Sequence, residues 1–160
     1  MTKKTTSAPG KTVARSLPGR RGRVLPADSC PSCGSTMRKH RGRLRYPVNG
    51  EEIAVLDVTH LWCAKCGEVV LRRDESRHLR EHAVAAYRRK YRLLSANEIR
   101  SLRERHGLTQ GRLAALLRLG GNTISRWESG RNVQTAAMDV LLRLIRDLPG
   151  SLDYLRTHAA

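Results

Sequence analysis

The chain of 160 residues contains no phenylalanine, and aromatic residues make up only 4% of it. With so few large side chains the chain is not expected to bury one large hydrophobic core. This favours two small domains that need an additional source of stability besides their cores. The sequence also has no apolar run near the roughly 20 residues of a membrane-spanning helix, and no apolar signal segment at its start. We therefore expect a cytoplasmic protein without membrane partners.

Acidic residues are scarce as well, with 14 Asp and Glu against 31 Lys and Arg and a net charge of +17. A field of this sign attracts polyanions by counterion release, which indicates nucleic acid as a partner. A basic surface that only keeps the protein soluble is the alternative. Residues 1–26 carry basic residues, Pro and Gly but no acid. They are predicted to be a disordered basic tail, with an organelle transit peptide as the weaker interpretation.

The four cysteines form two Cys-x-x-Cys-Gly units, Cys30 with Cys33 and Cys63 with Cys66. In a reducing compartment such paired units are usually metal ligands, and the glycines that follow allow the positive φ of a metal knuckle. Four thiolates suit tetrahedral zinc and leave no open position for a catalytic water. We predict one structural zinc ion per chain and no enzymatic activity. Two disulfides, an iron centre or a dithiol redox pair are the alternatives.

The region of the cysteines has the pattern of β-strands. GRLRYPV and EEIAVLDVTHLW flank Asn49 and Gly50, a typical hairpin turn, and EVVL supplies a third strand. A helical period follows over residues 74–94. His78 and His82 lie four residues apart on this helix, but no carboxylate pattern accompanies them, and we interpret them as part of a solvated face.

Several short helices follow, predicted over 96–106, 109–117, 122–129 and 135–147, with a last one from 151. The predicted fold class is therefore α+β, in which a long helix joins a small zinc-ribbon-like β module to an all-α helix-turn-helix domain. The helix over 135–147 and the residue after it carry an apolar stripe that we interpret as ordinary core, formed by Ala137, Val140, Leu141, Leu144, Ile145 and Leu148.

These patterns divide the chain into four parts. They are the basic tail over 1–26, the zinc-binding module over 27–73, the connecting helix over 74–94 and the helix-turn-helix domain over 95–160.

LTQGRLAALLRLGGNTISRWESG is typical of two short helices joined by a tight turn, with Gly120 or Gly121 supplying the turn. Apolar residues of both helices can share one core, which leaves the polar face of the second helix outside. The residues assigned to this core are Leu113, Ala114, Leu117, Ile124 and Trp127.

Asn122 and Arg126 lie four residues apart and therefore share one side of the second helix. Asn can pair with adenine and Arg with guanine in the major groove, so this face is predicted to read DNA. Glu128 is interpreted as structural, paired with an arginine. A helical bundle whose polar helix merely faces water is the alternative. The further predicted DNA contacts are Thr123 and Ser125, to a base edge or phosphate, and Thr109, Gln110 and Arg131, to phosphates.

Residues 99–146 resemble a helix-turn-helix of the Cro and lambda-repressor (XRE-like) type, through LTQGRLAALL and NTISRWESG. Together with the two cysteine units before them, residues 28–148 resemble the MqsA family of antitoxins. The resemblance implies a zinc domain that binds and neutralises an RNA-cleaving toxin, and a dimeric helical domain that represses its own operon. It assigns base reading to Asn122 and Arg126, and zinc binding to the four cysteines.

One short recognition helix reads few base pairs, so we expect a homodimer on a palindromic operator of double-stranded DNA. A stand-alone zinc-containing helix-turn-helix transcription regulator is the alternative function, because a fold does not fix a function. The basic tail extends beyond the family pattern. In addition, residues 30–94 contain 14 Lys or Arg against 7 Asp or Glu, and this charge does not favour a basic toxin.

The strand EEIAVLDVTHLW is apolar on both of its predicted faces, with Ile53 and Val55 on one and Ala54, Leu56, Val58 and Trp62 on the other. We expect one face, or the strand edge, to bind the toxin, unless the long helix or a second subunit covers it. The acids of this stretch are expected to offer a basic toxin a local negative spot; they are Glu51, Glu52 and Asp57.

Overall fold

A computed structural model of the chain describes residue 26 and residues 28–158, which form a three-stranded antiparallel sheet followed by six α-helices. The predicted α+β fold is therefore confirmed. The predicted basic tail lies outside the described residues, apart from Pro26. None of the described helices combines the length and the apolar character needed to cross a lipid bilayer.

The first two strands form a long hairpin. β1 (Arg38–Val48) pairs with β2 (Glu51–Trp62), and the turn residues Asn49 and Gly50 have φ angles of 49° and 82°. A two-residue type I′ turn requires positive φ at both positions, so the predicted hairpin is confirmed. β3 (Val69–Val70) pairs with the end of β2. Among the described residues β1 is therefore an edge strand.

A bulge in β2 determines which of its side chains share a face. The register shifts at Leu56 and Asp57, and Asp57 has a left-handed φ of 58°. The extra residue reverses the alternation beyond it, so Val58 and Trp62 follow the face of Val55. Val58 is buried in one cluster with Val55. The expectation that Leu56, Val58 and Trp62 share a face is therefore wrong, because strict alternation holds only in a strand without a bulge.

α1 (Arg73–Lys90) covers one face of the hairpin, where its buried side chains pack against those of β2. This is one of the two coverings that the sequence left open. The helix ends four residues earlier than predicted, since Arg92 has a left-handed φ of 53°. His78 and His82 are exposed, as expected for a solvated helix face. The core between helix and hairpin contains Ile53, Val55, Val58, Leu79, Ala83 and Val84.

The remaining helices form a second core. Their first turns are capped by the hydroxyl groups of Ser95, Thr109 and Thr135, each of which accepts a backbone N–H three residues ahead. The side chains predicted to share a core are all buried in it. The helices are α2 (Ala96–Arg105), α3 (Gln110–Leu116), α4 (Thr123–Glu128), α5 (Ala136–Asp147) and α6 (Ser151–His158).

The turn between α3 and α4 differs from the expectation. Arg118, rather than Gly120 or Gly121, has the positive φ, 51°, and the N–H of Leu119 donates to the carbonyl of Ala114 at 2.8 Å. This is the bonding of a Schellman helix end, with arginine at the position that glycine usually takes. Gly120 and Gly121 still lie in the connection, where the carbonyl of Gly120 accepts the N–H of Thr123 at 2.9 Å, but neither glycine has a positive φ.

The apolar stripe of α5 is only partly core. Leu142 and Ile145 are buried, whereas Val140, Leu144 and Leu148 are 57%, 45% and 55% exposed. The interpretation of the stripe as ordinary core is wrong for these three residues and for Ala137, which is also exposed, because the small helical core covers only one side of α5. The three side chains recur every four residues and give α5 an exposed apolar face.

Candidate functional site

The four cysteines meet at one point beside the hairpin. Their Sγ atoms all lie within 4.8 Å of one another, with 3.5 Å between Cys30 and Cys66 and 3.5 Å between Cys33 and Cys63. None of them forms a disulfide. Tetrahedral zinc with Zn–S bonds of about 2.3 Å places its sulfurs about 3.8 Å apart. The cluster therefore has the size and the donor set for a metal ion such as zinc.

The two cysteine units have the same backbone structure. The N–H of Gly34 donates to the carbonyl of Cys30 at 2.9 Å, and the N–H of Gly67 donates to the carbonyl of Cys63 at 2.8 Å. Both glycines have positive φ angles, 73° and 77°, which confirms the role expected of them. Two equivalent knuckles thus face each other.

The thiols of the cluster differ in acidity. Hydrogen bonds from the side chain and backbone of Ser35 lower the pKa of Cys33 to about 6. At Cys66 the backbone of Glu68 also lowers the pKa, but the Cys30 thiol and burial outweigh it and raise the pKa to about 12. At neutral pH Cys66 therefore keeps its proton, and a metal that binds four thiolates must displace it.

α4 is oriented by its buried residues. Ile124 and Trp127 lie in the helical core, whereas Asn122, at the start of the helix, and Arg126, one turn later, are exposed. The N–H of Arg126 donates to the carbonyl of Asn122 at 3.1 Å, so the two residues occupy successive turns. Among the described residues, the guanidinium of Arg126 makes no hydrogen bond or ion pair. Thr123 and Ser125 are half-buried beside them.

Glu128 fixes the end of α4 to the preceding helices. Its carboxylate accepts hydrogen bonds from Arg103 Nε at 2.6 Å and Gln110 Nε2 at 2.8 Å, and Arg100 Nε lies 3.6 Å away. Burial raises the pKa of this carboxyl, but the bonds from Arg103 and Gln110 outweigh burial and hold the pKa below its usual range. The expected pairing of Glu128 with an arginine is confirmed.

The residues predicted to contact phosphates lie at the start of α3 and after the end of α4. Thr109 is exposed, and its hydroxyl oxygen accepts the N–H of Arg112 at 3.1 Å, which leaves the hydroxyl proton to donate. Gln110 is half-buried because it is bound to Glu128. Arg131 follows α4 and is exposed.

Arg88 is a positioning residue that the sequence reasoning missed. It is only 3% exposed, and its Nη2 donates to the carbonyls of Trp127 at 3.0 Å and Asn132 at 3.2 Å. Burial lowers its pKa to about 10, an effect that the charge of Asp139 opposes. The bonds hold α1 against the end of α4. Its burial could have been predicted from helical spacing, because Arg88 follows Val84 by four residues and therefore lies on the same side of α1.

Near the bulge, the face of the hairpin opposite α1 includes Arg43, Arg45, Ala54 and Leu56, and we call these four residues the outer sheet face. Leu56 is 62% exposed. Of the three acids expected to form a negative spot nearby, two are paired within the chain: Glu51 with Lys90 and with the hydroxyl of Tyr91, and Asp57 with Arg41 at 3.8 Å. The third, Glu52, is exposed and has no hydrogen bond or ion pair from its side chain among the described residues. Hydrogen bonds from Lys90 and Tyr91 lower the pKa of Glu51. The outer sheet face therefore combines an exposed leucine with two arginines, and Glu52 is the unpaired acid beside it.

The chain is similar in sequence to known antitoxins. The family described as the antitoxin component of bacterial toxin-antitoxin system, MqsA, matches residues 28–156. Antitoxin HigA-2 of Vibrio cholerae serotype O1 is 34% identical over 62 residues, which make up 39% of this chain and 60% of that protein. The chain thus spans less than two thirds of the length of this curated relative.

Proposed function

Because the chain belongs to the MqsA family of antitoxins, we propose that it neutralises an RNA-cleaving toxin and represses its own operon by sequence-specific DNA binding. The observation that supports this best is the exposure of Asn122 and Arg126 on successive turns of a helix whose other side is buried. Both side chains are suited to bidentate pairing with a base, Asn with adenine and Arg with guanine.

Of the other contacts around this pair, those to phosphates position the protein on DNA without reading bases. Thr123 and Ser125 reach a base edge or a phosphate from α4. Thr109 and Gln110 lie at the start of α3, which the hydrogen bond from Gln110 to Glu128 holds beside the C-terminal end of α4. Arg131 follows the same end of α4, so these proposed phosphate contacts gather there. Gln110 has a second function as a ligand of Glu128, which couples the phosphate contact to the orientation of α4.

The DNA-binding species is a homodimer on a palindromic operator. The exposed face of α5 supports this, because Val140, Leu144 and Leu148 form an apolar patch for which a second copy of the chain is a self-complementary partner. Two-fold symmetry of the protein then matches two half-sites in the DNA.

The metal of the cysteine cluster is zinc, one ion per chain, in a structural role. Four sulfur donors complete a tetrahedral shell and leave no position for a substrate. Cys30, Cys33, Cys63 and Cys66 are the ligands. Zinc holds the two knuckles together at the end of the hairpin.

The toxin binds the outer sheet face, with Leu56 at the centre, or adds a strand to the edge of β1. α1 leaves this face uncovered among the described residues. Glu51 and Asp57 are paired within the chain, whereas Glu52 stays exposed beside Ala54. The toxin surface that docks here therefore has to offer apolar groups for Leu56 and acidic groups for Arg43 and Arg45, and a basic group of the toxin can pair with Glu52.

The charge of this module is the one observation that favours a second candidate, a stand-alone transcription regulator that binds no toxin. Like charges disfavour the docking of a basic ribonuclease. The neighbouring gene separates the two functions, since an adjacent small ribonuclease reading frame supports the antitoxin and an unrelated neighbour supports the regulator.

The DNA-binding part is tested with the duplex upstream of the operon and the variant Arg126→Ala. The substitution should weaken operator binding by about 1 to 3 kcal/mol and relax the preference at one base pair, because it removes one bidentate base contact. Arg89→Ala, which removes an exposed arginine from α1, is the control and should keep the base preference. If Arg126→Ala bound the operator with unchanged affinity and selectivity, α4 would not be the recognition helix.

A further inference from the structure

A groove of about 670 Å³ lies between the first half of α1 and the loop after α4. Four arginines line it, Arg73, Arg77 and Arg80 from α1 and Arg131 from the loop, and Glu81 is the acid among the described lining residues. We call it the arginine groove. Two parts of the chain that are far apart in sequence thus bring their positive charges to one concave surface.

Some arginine N–H groups in the groove have a hydrogen-bond or ion-pair partner within the chain, and others have none among the described residues. Arg77 pairs with Asp74, and Arg131 Nε donates to the Ser129 hydroxyl at 2.9 Å. Arg80 Nε, in contrast, is buried and has no hydrogen-bond partner among the described residues. A buried N–H of a charged group is costly without an acceptor, and an anionic oxygen in the groove provides one.

The groove has a fixed position relative to α4. Arg88 holds α1 to the carbonyls of Trp127 and Asn132, and Glu81 Cγ lies 3.6 Å from the position that a Cβ on Gly130 would take. Arg73, Arg77, Arg80 and Arg88 follow one another at helical spacings, so they lie on one side of α1. At 1.5 Å per residue this side extends about 22 Å from Arg88 to Arg73.

We propose that the arginine groove binds the phosphate backbone of DNA beside the major groove that α4 enters. The inference rests on the proposed DNA-binding function and extends it, because it makes α1 part of the DNA interface. Guanidinium groups match phosphate oxygens by charge and by their forked geometry, and Arg131 connects the groove to the recognition helix. The groove contributes affinity and register without base preference.

The test compares two double variants of the full chain that each remove two exposed positive charges. Arg73→Ala with Arg77→Ala changes the groove, and Arg43→Ala with Arg45→Ala changes the outer sheet face. Affinity for an operator duplex and for a random-sequence duplex is measured over a series of salt concentrations. The groove variant should bind both duplexes about tenfold more weakly at 0.1 M salt, with a salt slope lower by up to about two. The sheet variant should change binding less than about threefold.

A shortened duplex localises the contact. When the DNA ends at the recognised bases, wild-type affinity should fall towards that of the groove variant, because the flanking phosphates are gone. Equal losses in the two double variants, or an unchanged salt slope in the groove variant, would overturn the inference. Arg126→Ala reports separately on the proposed function, since it alone should alter base preference. A wild-type chain that binds neither duplex would overturn both.

Discussion

Glu128 illustrates how one buried side chain controls the direction of an exposed one. Its carboxylate holds Arg103 and Gln110, which fixes the end of α4 to α2 and α3. Arg126 lies half a turn before it and therefore points away from this network, towards solvent. The acid was recognisable in the sequence because Ile124 and Trp127 already assign the buried side of the helix. Arg88 was not, since an arginine on a helix is usually exposed.

The four cysteines are expected to bind zinc and to make folding of the hairpin module depend on it. Protein purified without a chelator should contain about one zinc ion per chain, and a strong chelator or Cys66→Ser should unfold the hairpin module, because zinc binding supplies about 10 to 16 kcal/mol in small zinc domains. Metal affinity should fall as the pH falls. The pKa of Cys66 is raised to about 12 without metal, so binding has to release its proton, and acid opposes that release.

Metal analysis and circular dichroism before and after chelation check this prediction. The matched control is His78→Ala with His82→Ala, which should leave the zinc content unchanged because both rings lie on the exposed side of α1. A chain with free thiols, no metal and an unchanged spectrum would contradict the structural role.

At the scale of elements, the sequence predicts those turns and backbone conformations that a single residue determines by itself. Asn49 and Gly50 predict their turn, and Gly34 and Gly67 predict the positive φ of the cysteine units, because in each case the residue itself adopts the required φ. The left-handed conformations of Asp57 and Arg118 were not predictable, since packing of neighbouring elements imposes them on ordinary residues. The bulge at Asp57 then placed Val58 on the face opposite to the expected one.

The exposed face of α5 carries the prediction at this scale. Leu144→Glu should convert a dimer into a monomer, because it places a charge in the apolar patch of both copies. Affinity for a palindromic operator should then fall by about 100-fold, towards that for one half-site. Sedimentation and DNA titration measure the two effects. Leu56→Glu, the same substitution at another exposed leucine, should remain dimeric. A dimeric Leu144→Glu chain would show that another surface forms the interface.

At the scale of the whole molecule, a basic chain combines a four-cysteine cluster, an exposed sheet face and α4, the proposed recognition helix, on one connected framework. The fold class and the candidate ligand set could be predicted, because cysteine spacing and hydrophobic periodicity carry them directly. The distribution of charge over the surface could not be predicted from the sequence. Glu51 and Asp57 were visible as acids, but their pairing with Lys90 and Arg41 depends on how α1 and β1 lie against β2.

We propose that the outer sheet face binds the toxin and that α4 binds DNA, and toxin binding by two variants of the full chain separates these two roles. The affinity of the adjacent ribonuclease is measured for wild type, Leu56→Glu and Arg126→Ala. We expect Leu56→Glu to lose about tenfold or more in toxin affinity, because it buries a charge at the centre of the docking surface, while Arg126→Ala binds the toxin as wild type does. Loss of toxin binding in Arg126→Ala with full binding by Leu56→Glu would contradict the account.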